Sequence, residues 1–158
     1  MRFIFLDIDG CLNDHTMMSN HYCGIQADKV GFLNQILEKH DDVFLVISSA
    51  WRYMCIGKEM TLRGFEQMLL THGVSCYNRI HGITEPDEKY WPEMPTNDDY
   101  ADLTVRAKQI ESYVKQYQPD SFVVFDDLDL PVDNLVRTDG KIGLQQQHIE
   151  AALQILLK

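Results

Sequence analysis

Three stretches of this chain are nearly continuous in large apolar residues, and each stops abruptly at acidic or hydroxyl side chains. They are "RFIFLDIDG" (2–10), "DVFLVISSAWR" (42–52) and "SFVVFDDLD" (121–129). An apolar run with no polar alternation suits a strand covered on both faces, as in a parallel sheet. Between the runs the period changes. Residues 27–40 place Val30, Leu33, Ile36 and Leu37 at helical spacing, and residues 62–73 place Phe65, Met68 and Leu69 on one face with Gly73 as a stop. Residues 102–117 bring Val105, Ile110 and Val114 near one face, and Pro119 ends that helix. A shorter strand around residues 134–139 and a helix near residues 144–157 complete the pattern. Strand and helix in alternation predict an α/β fold: a Rossmann-like, doubly wound, mostly parallel sheet flanked by helices and joined by right-handed crossovers.

Composition narrows the picture. With 158 residues and 45% hydrophobic content, the chain is long enough for one core and short for two, so we expect a single domain over residues 1–158. Residues 74–104 read as an irregular insert or flap, because residues 81–102 carry three prolines, the adjacent Tyr90 and Trp91, and many acids. A net charge of −10 argues against a broad electrostatic grip on nucleic acid or an anionic membrane. The four cysteines, Cys11, Cys23, Cys55 and Cys76, form no CxxC pair and read as reduced thiols of a cytoplasmic protein. The first apolar run breaks at Asp7, before a signal peptide is complete, and no segment approaches the roughly 20 apolar residues of a membrane span. His15, His21, His72 and His81 lack metal-ligand spacing and are expected on the surface or in loops.

The polar residues that end the strands carry the chemistry. In open parallel sheets, ligands bind beyond the carboxyl ends of the strands, near the switch in strand order. Asp7 with Asp9, Ser48 with Ser49, and Asp126 with Asp127 all fall there. Residues i and i+2 of an extended chain share a face, so Asp7 and Asp9 point the same way. Four carboxylates at one sheet edge repel strongly unless protonated or bridged by a divalent cation. Mg²⁺ suits such hard oxygen ligands.

The ordered set "DIDG", "ISS", a basic helix and "FDD" resembles the haloacid dehalogenase (HAD) superfamily, chiefly its phosphatases, over nearly the whole chain. The resemblance implies a Mg²⁺-dependent phosphomonoester hydrolase in which Asp7 attacks phosphorus and Asp9 acts as general acid and then base. It also implies metal ligation by Asp7, by Asp9 through its backbone carbonyl, and by Asp127, with Asp126 either a further metal ligand or the group that orients the cluster. Ser48 matches the hydroxyl that bonds a transferring phosphoryl oxygen, and Ser49 is placed to share that task; for either serine the alternative is to cap the following helix. Arg106 and Lys108 both qualify as the cation before the last acidic strand, and Arg106 aligns better with compact members of the superfamily. Cys11 stands where Thr or Val is usual, at a position whose side chain mainly packs.

"SSAWR" (48–52) looks like the SxWR arrangement of small members proposed to act in nucleic-acid end repair. It makes Arg52 a candidate phosphate partner, and leaves Trp51 as either a core residue or a stacking platform. Residues 13–26 are too few for a large cap, so the implied substrate ranges over a nucleotide, a polynucleotide end or a small phosphoester. Arg52, Arg63 and Arg79 are candidates for a small phosphate-following patch. A response-regulator receiver uses similar groups, but its acidic pair precedes its phospho-acceptor, an order absent here. The alternative is a non-catalytic phosphate or nucleic-acid binding module on the same scaffold.

Overall fold

The computed structural model describes residues 1–14, 24–85 and 103–158. The elements run β1 (Arg2–Leu6), α1 (Ala27–Leu37), β2 (Val43–Ile47), a 3-10 turn (Ala50–Arg52), α2 (Tyr53–Ile56), α3 (Leu62–Thr71), β3 (Ile80–Ile83), α4 (Leu103–Tyr117), β4 (Ser121–Asp126), β5 (Leu135–Arg137) and α5 (Gln146–Leu156). The five strands form one sheet in the order β3-β2-β1-β4-β5, and every pairing is parallel. This is the doubly wound α/β architecture expected from the apolar runs. The most apolar runs take the centre, where both faces of a strand must be covered.

Alternate residues of the central strands feed two cores. Ile4, Leu6, Leu45, Ile47, Val123 and Phe125 pack on the side of α1, α3 and α5, with Leu33, Phe65 and Ile149 among their neighbours. Phe3, Phe5, Val46 and Val124 pack on the other side against Ile110 and Tyr113 of α4. The crossover through α4 carries the chain from the β3 edge back past β1 to β4. The strand order therefore switches between β1 and β4.

Two elements depart from the expected pattern. Residues 80–83, inside the stretch read as an irregular insert, form the edge strand β3. It is only half-buried and contains Gly82, so it lacks the continuous apolar run that marks the central strands. Residues 50–52, the end of the stretch read as a strand, instead wind into the 3-10 turn, which leads into α2. His81 is not a loop residue: it lies on β3, its ring 4.6 Å from that of Phe3, with Nδ1 2.8 Å from the Tyr113 hydroxyl. His72 sits half-buried at the end of α3. His15, His21, Cys23 and residues 86–102 of the expected flap lie outside the described residues. Cys11, Cys55 and Cys76 are free thiols, and no helix among the described residues is long and apolar enough to cross a membrane.

Candidate active site

Strand register assembles the site. Leu6 pairs with Ile47 of β2 and with Phe125 of β4, so the next residues, Asp7, Ser48 and Asp126, line up just beyond the strand ends. The alignment is held by backbone bonds: Asp7 N–H donates to Phe125 O (2.9 Å) and Ser48 N–H to Leu6 O (3.1 Å). By the two-residue period, these three side chains share the face of Phe5, Val46 and Val124, which is the face α4 covers. A cation from α4 therefore meets them directly.

That cation is Arg106. Its guanidinium donates to Asp126 Oδ2 (2.6 Å) and to Asp7 Oδ2 (3.3 Å). Lys108 lies two residues on, roughly 200° around the helix, and is exposed, so α4 does not bring it to the carboxylates. Asp7, Asp126 and Asp127 each offer an oxygen within 4.8 Å of the other two. Burial and the neighbouring Asp7 raise the pKa of Asp126 well above the usual carboxylate range, against the pull of Arg106 and the Leu128 N–H. Burial opposes the charge on Arg106, but Asp7 and Asp126 override it and raise its pKa further. One guanidinium thus faces three carboxyl groups, fewer cationic than acidic partners.

The loop after β1 is shaped for this crowding. Gly10 has φ +79°, and a Cβ there would lie 2.6 Å from Asp127 Cγ. Only glycine meets both demands. Its carbonyl accepts from Thr138 Oγ1 (2.7 Å), and its N–H donates to Asn13 Oδ1 (3.0 Å). Cys11 packs beneath, fully buried, with Sγ 3.4 Å from Thr138 Oγ1. Burial, with the charge of Asp7 adding, pushes its thiol pKa well up and keeps it neutral.

Asp9 stands apart from the three-carboxylate group. Its carboxylate accepts from Asn13 Nδ2 at Oδ1 and from the indole Nε1 of Trp51 at Oδ2, both at 3.0 Å. Asp126 has both oxygens engaged, Oδ2 by Arg106 and Oδ1 by Leu128 N–H. Among the described residues, Ser48 Oγ is the buried side-chain polar atom without a partner. Its neighbour Ser49 is occupied, capping the 3-10 turn by accepting from Trp51 N–H (3.3 Å).

Arg52 has other partners than the phosphate expected of it. It is buried and donates to the carbonyls of Ser48 (3.0 Å), Ser49 (2.8 Å) and Thr84 (2.9 Å) and to Gln109 Oε1 (3.0 Å). It ties the ends of β2 and β3 to α4. Nor do the three arginines form a patch. Arg63, on α3, pairs with Glu66, and Arg79 precedes β3 at the opposite end of the sheet, bonded to His40 O and Asp41. The sequence reading passed over Asn13, Gln109 and Thr138. Gln109 could have been found, since it lies three residues from Arg106 on the same helix face.

The fold and the ordered groups are those of a HAD-type domain. Residues 3–149 match the family described as the HAD domain in Swiss Army Knife RNA repair proteins, and the chain belongs to that family. Neither the curated proteins nor the solved structures compared with it include a match.

Proposed function

We propose that the protein is a Mg²⁺-dependent phosphomonoester hydrolase acting on a phosphorylated nucleic-acid end, an RNA end in the first instance, or on the corresponding nucleotide. The observation that carries this reading is the row of Asp7, an unpartnered Ser48 hydroxyl and Asp126, with Asp127 and Arg106 closing around it. Family membership supports the RNA end as the substrate class.

The donor set fits Mg²⁺: clustered carboxylate oxygens short of positive charge, in a cradle that a Cβ at Gly10 would fill. Asp7 and Asp127, with the backbone carbonyl of Asp9, would hold the ion, whose positive charge screens the substrate phosphate from the anionic nucleophile. Asp126, which accepts from Arg106 and from the Leu128 N–H, would orient Arg106 beside that ion. Ser48 Oγ donates to a phosphoryl oxygen, so its vacancy is filled by substrate. An Asp7 oxygen attacks phosphorus as the ester P–O bond breaks, and Asp9 gives its proton to the departing oxygen. Asp9 then takes a proton from water, whose oxygen attacks phosphorus. The bond to Asp7 breaks, and inorganic phosphate leaves.

The test is release of inorganic phosphate from RNA oligonucleotides carrying a 5′- or 3′-phosphate, from nucleotides and from an aryl phosphate, with Mg²⁺ or a chelator. Wild type should release phosphate only with the metal. Asp7→Asn should turn over the aryl phosphate at least about 10³-fold more slowly, as loss of a covalent nucleophile commonly does. Tight retention of phosphorylated RNA with no release under any condition would instead favour a binding module.

A further inference from the structure

Building on the phosphatase reading, we infer that Trp51 is a positioning residue for the general acid, its indole N–H holding the Asp9 carboxyl toward the leaving group. Asp9 is the one carboxylate of the DxD pair outside the Asp7, Asp126 and Asp127 group. Its direction is set by two donors from separate segments. Trp51 Nε1 reaches Oδ2 across 42 residues of sequence, and Asn13 Nδ2 reaches Oδ1 from the same loop, each at 3.0 Å. Both donors are neutral, so they orient the group without adding charge to an already crowded cluster.

Each donor is itself anchored. Asn13 is fully buried, donates also to Gly24 O (2.9 Å) and accepts from Gly10 N–H (3.0 Å). Trp51 packs against the core, and its own N–H is capped by Ser49 Oγ. The turn that carries Trp51 begins two residues after Ser48, so one short segment supplies both the phosphate-facing hydroxyl and the group that aims the acid. Arg52 pins that segment by donating to the carbonyls of Ser48 and Ser49. The Trp51 ring is half-buried, and its one polar atom is spent on Asp9.

A general acid matters only when the leaving group needs a proton. An alkyl phosphate, such as the 5′-phosphate of a nucleoside, needs one; 2,4-dinitrophenyl phosphate does not. Wild type, Trp51→Phe and Trp51→His are compared on both esters in Mg²⁺. Trp51→Phe should lower kcat/KM, which reports phosphoryl transfer to Asp7, by about 10- to 100-fold on the alkyl ester, the scale of a misaimed acid, and by less than about threefold on the dinitrophenyl ester. Trp51→His restores an N–H at the same ring position and should return alkyl-ester turnover to within about fivefold of wild type. That arm keeps the test decisive if phenylalanine disturbs packing. An equal loss of kcat/KM on both esters, or no recovery with histidine, would overturn the inference and leave the phosphatase reading standing. A wild type that hydrolyses neither ester removes both.

Discussion

The two ends of the parallel sheet handle charge in opposite ways. At the end where the strands begin, each ion pair has an acid open to water: Arg2 with Asp42, the amino terminus with Asp120, and Arg79 with Asp41, whose acids are 48%, 74% and 97% exposed. Where the strands finish, one exposed pair, Arg137 with Asp129, remains, but Arg106 meets Asp7 and Asp126 with side-chain exposures of 11%, 6% and 0%. Exposed pairs are screened, and each side chain gives up rotamer freedom to form them, so their net worth is small. Buried charges that lack a full set of partners are costly, and a fold retains such a cluster where chemistry uses it. The same kinds of residue thus stitch the surface at one end and, in the proposed function, form the machinery at the other.

Three substitutions put numbers on that contrast. Arg106→Met should have the largest effect on stability, because it leaves buried carboxylates uncompensated. We expect a loss of about 3–5 kcal/mol in chemical denaturation without metal, partly recovered by added Mg²⁺. A loss below about 1 kcal/mol would mean the buried pair behaves like the exposed ones. Gly10→Ala comes next. A side chain at φ +79° that also presses on Asp127 should cost about 2 kcal/mol in the same experiment and weaken metal-dependent turnover. Unchanged stability and activity would show that the loop relaxes freely. Arg2→Ala, at the far end, should shift stability by less than about 1 kcal/mol, with the difference shrinking in high salt and turnover unaffected.

The same contrast explains what could be read from the sequence. The central strands were legible because strands covered on both faces must be apolar throughout, and Asp7, Ser48 and Asp126 were legible because polarity appears at the point where each apolar run ends. Edge strand β3 was hidden, since four half-buried residues around Gly82 carry no such run. The preference for Arg106 over Lys108 came from family likeness; helix geometry supplies the physical reason, with the two side chains on opposite faces of α4. The partners of Arg52 were hidden, because a guanidinium after a strand suits a phosphate as well as it suits three backbone carbonyls and a glutamine. Only the tertiary structure puts Thr84 and Gln109 within its reach. Likewise, the hydrogen bond from Trp51 to Asp9 depends on the turn at Ala50–Arg52, which the pattern of apolar residues did not predict.

The central claim is that carboxylates from the ends of β1 and β4 share one divalent cation, and calorimetric titration with Mg²⁺ tests it most directly. Wild type should bind one ion per chain, Asp127→Asn should bind it at least about tenfold more weakly, and Asp129→Asn, an exposed neighbour paired with Arg137, should match wild type. Absence of Mg²⁺ binding by wild type, or equal affinity in the Asp127→Asn protein, would contradict the account.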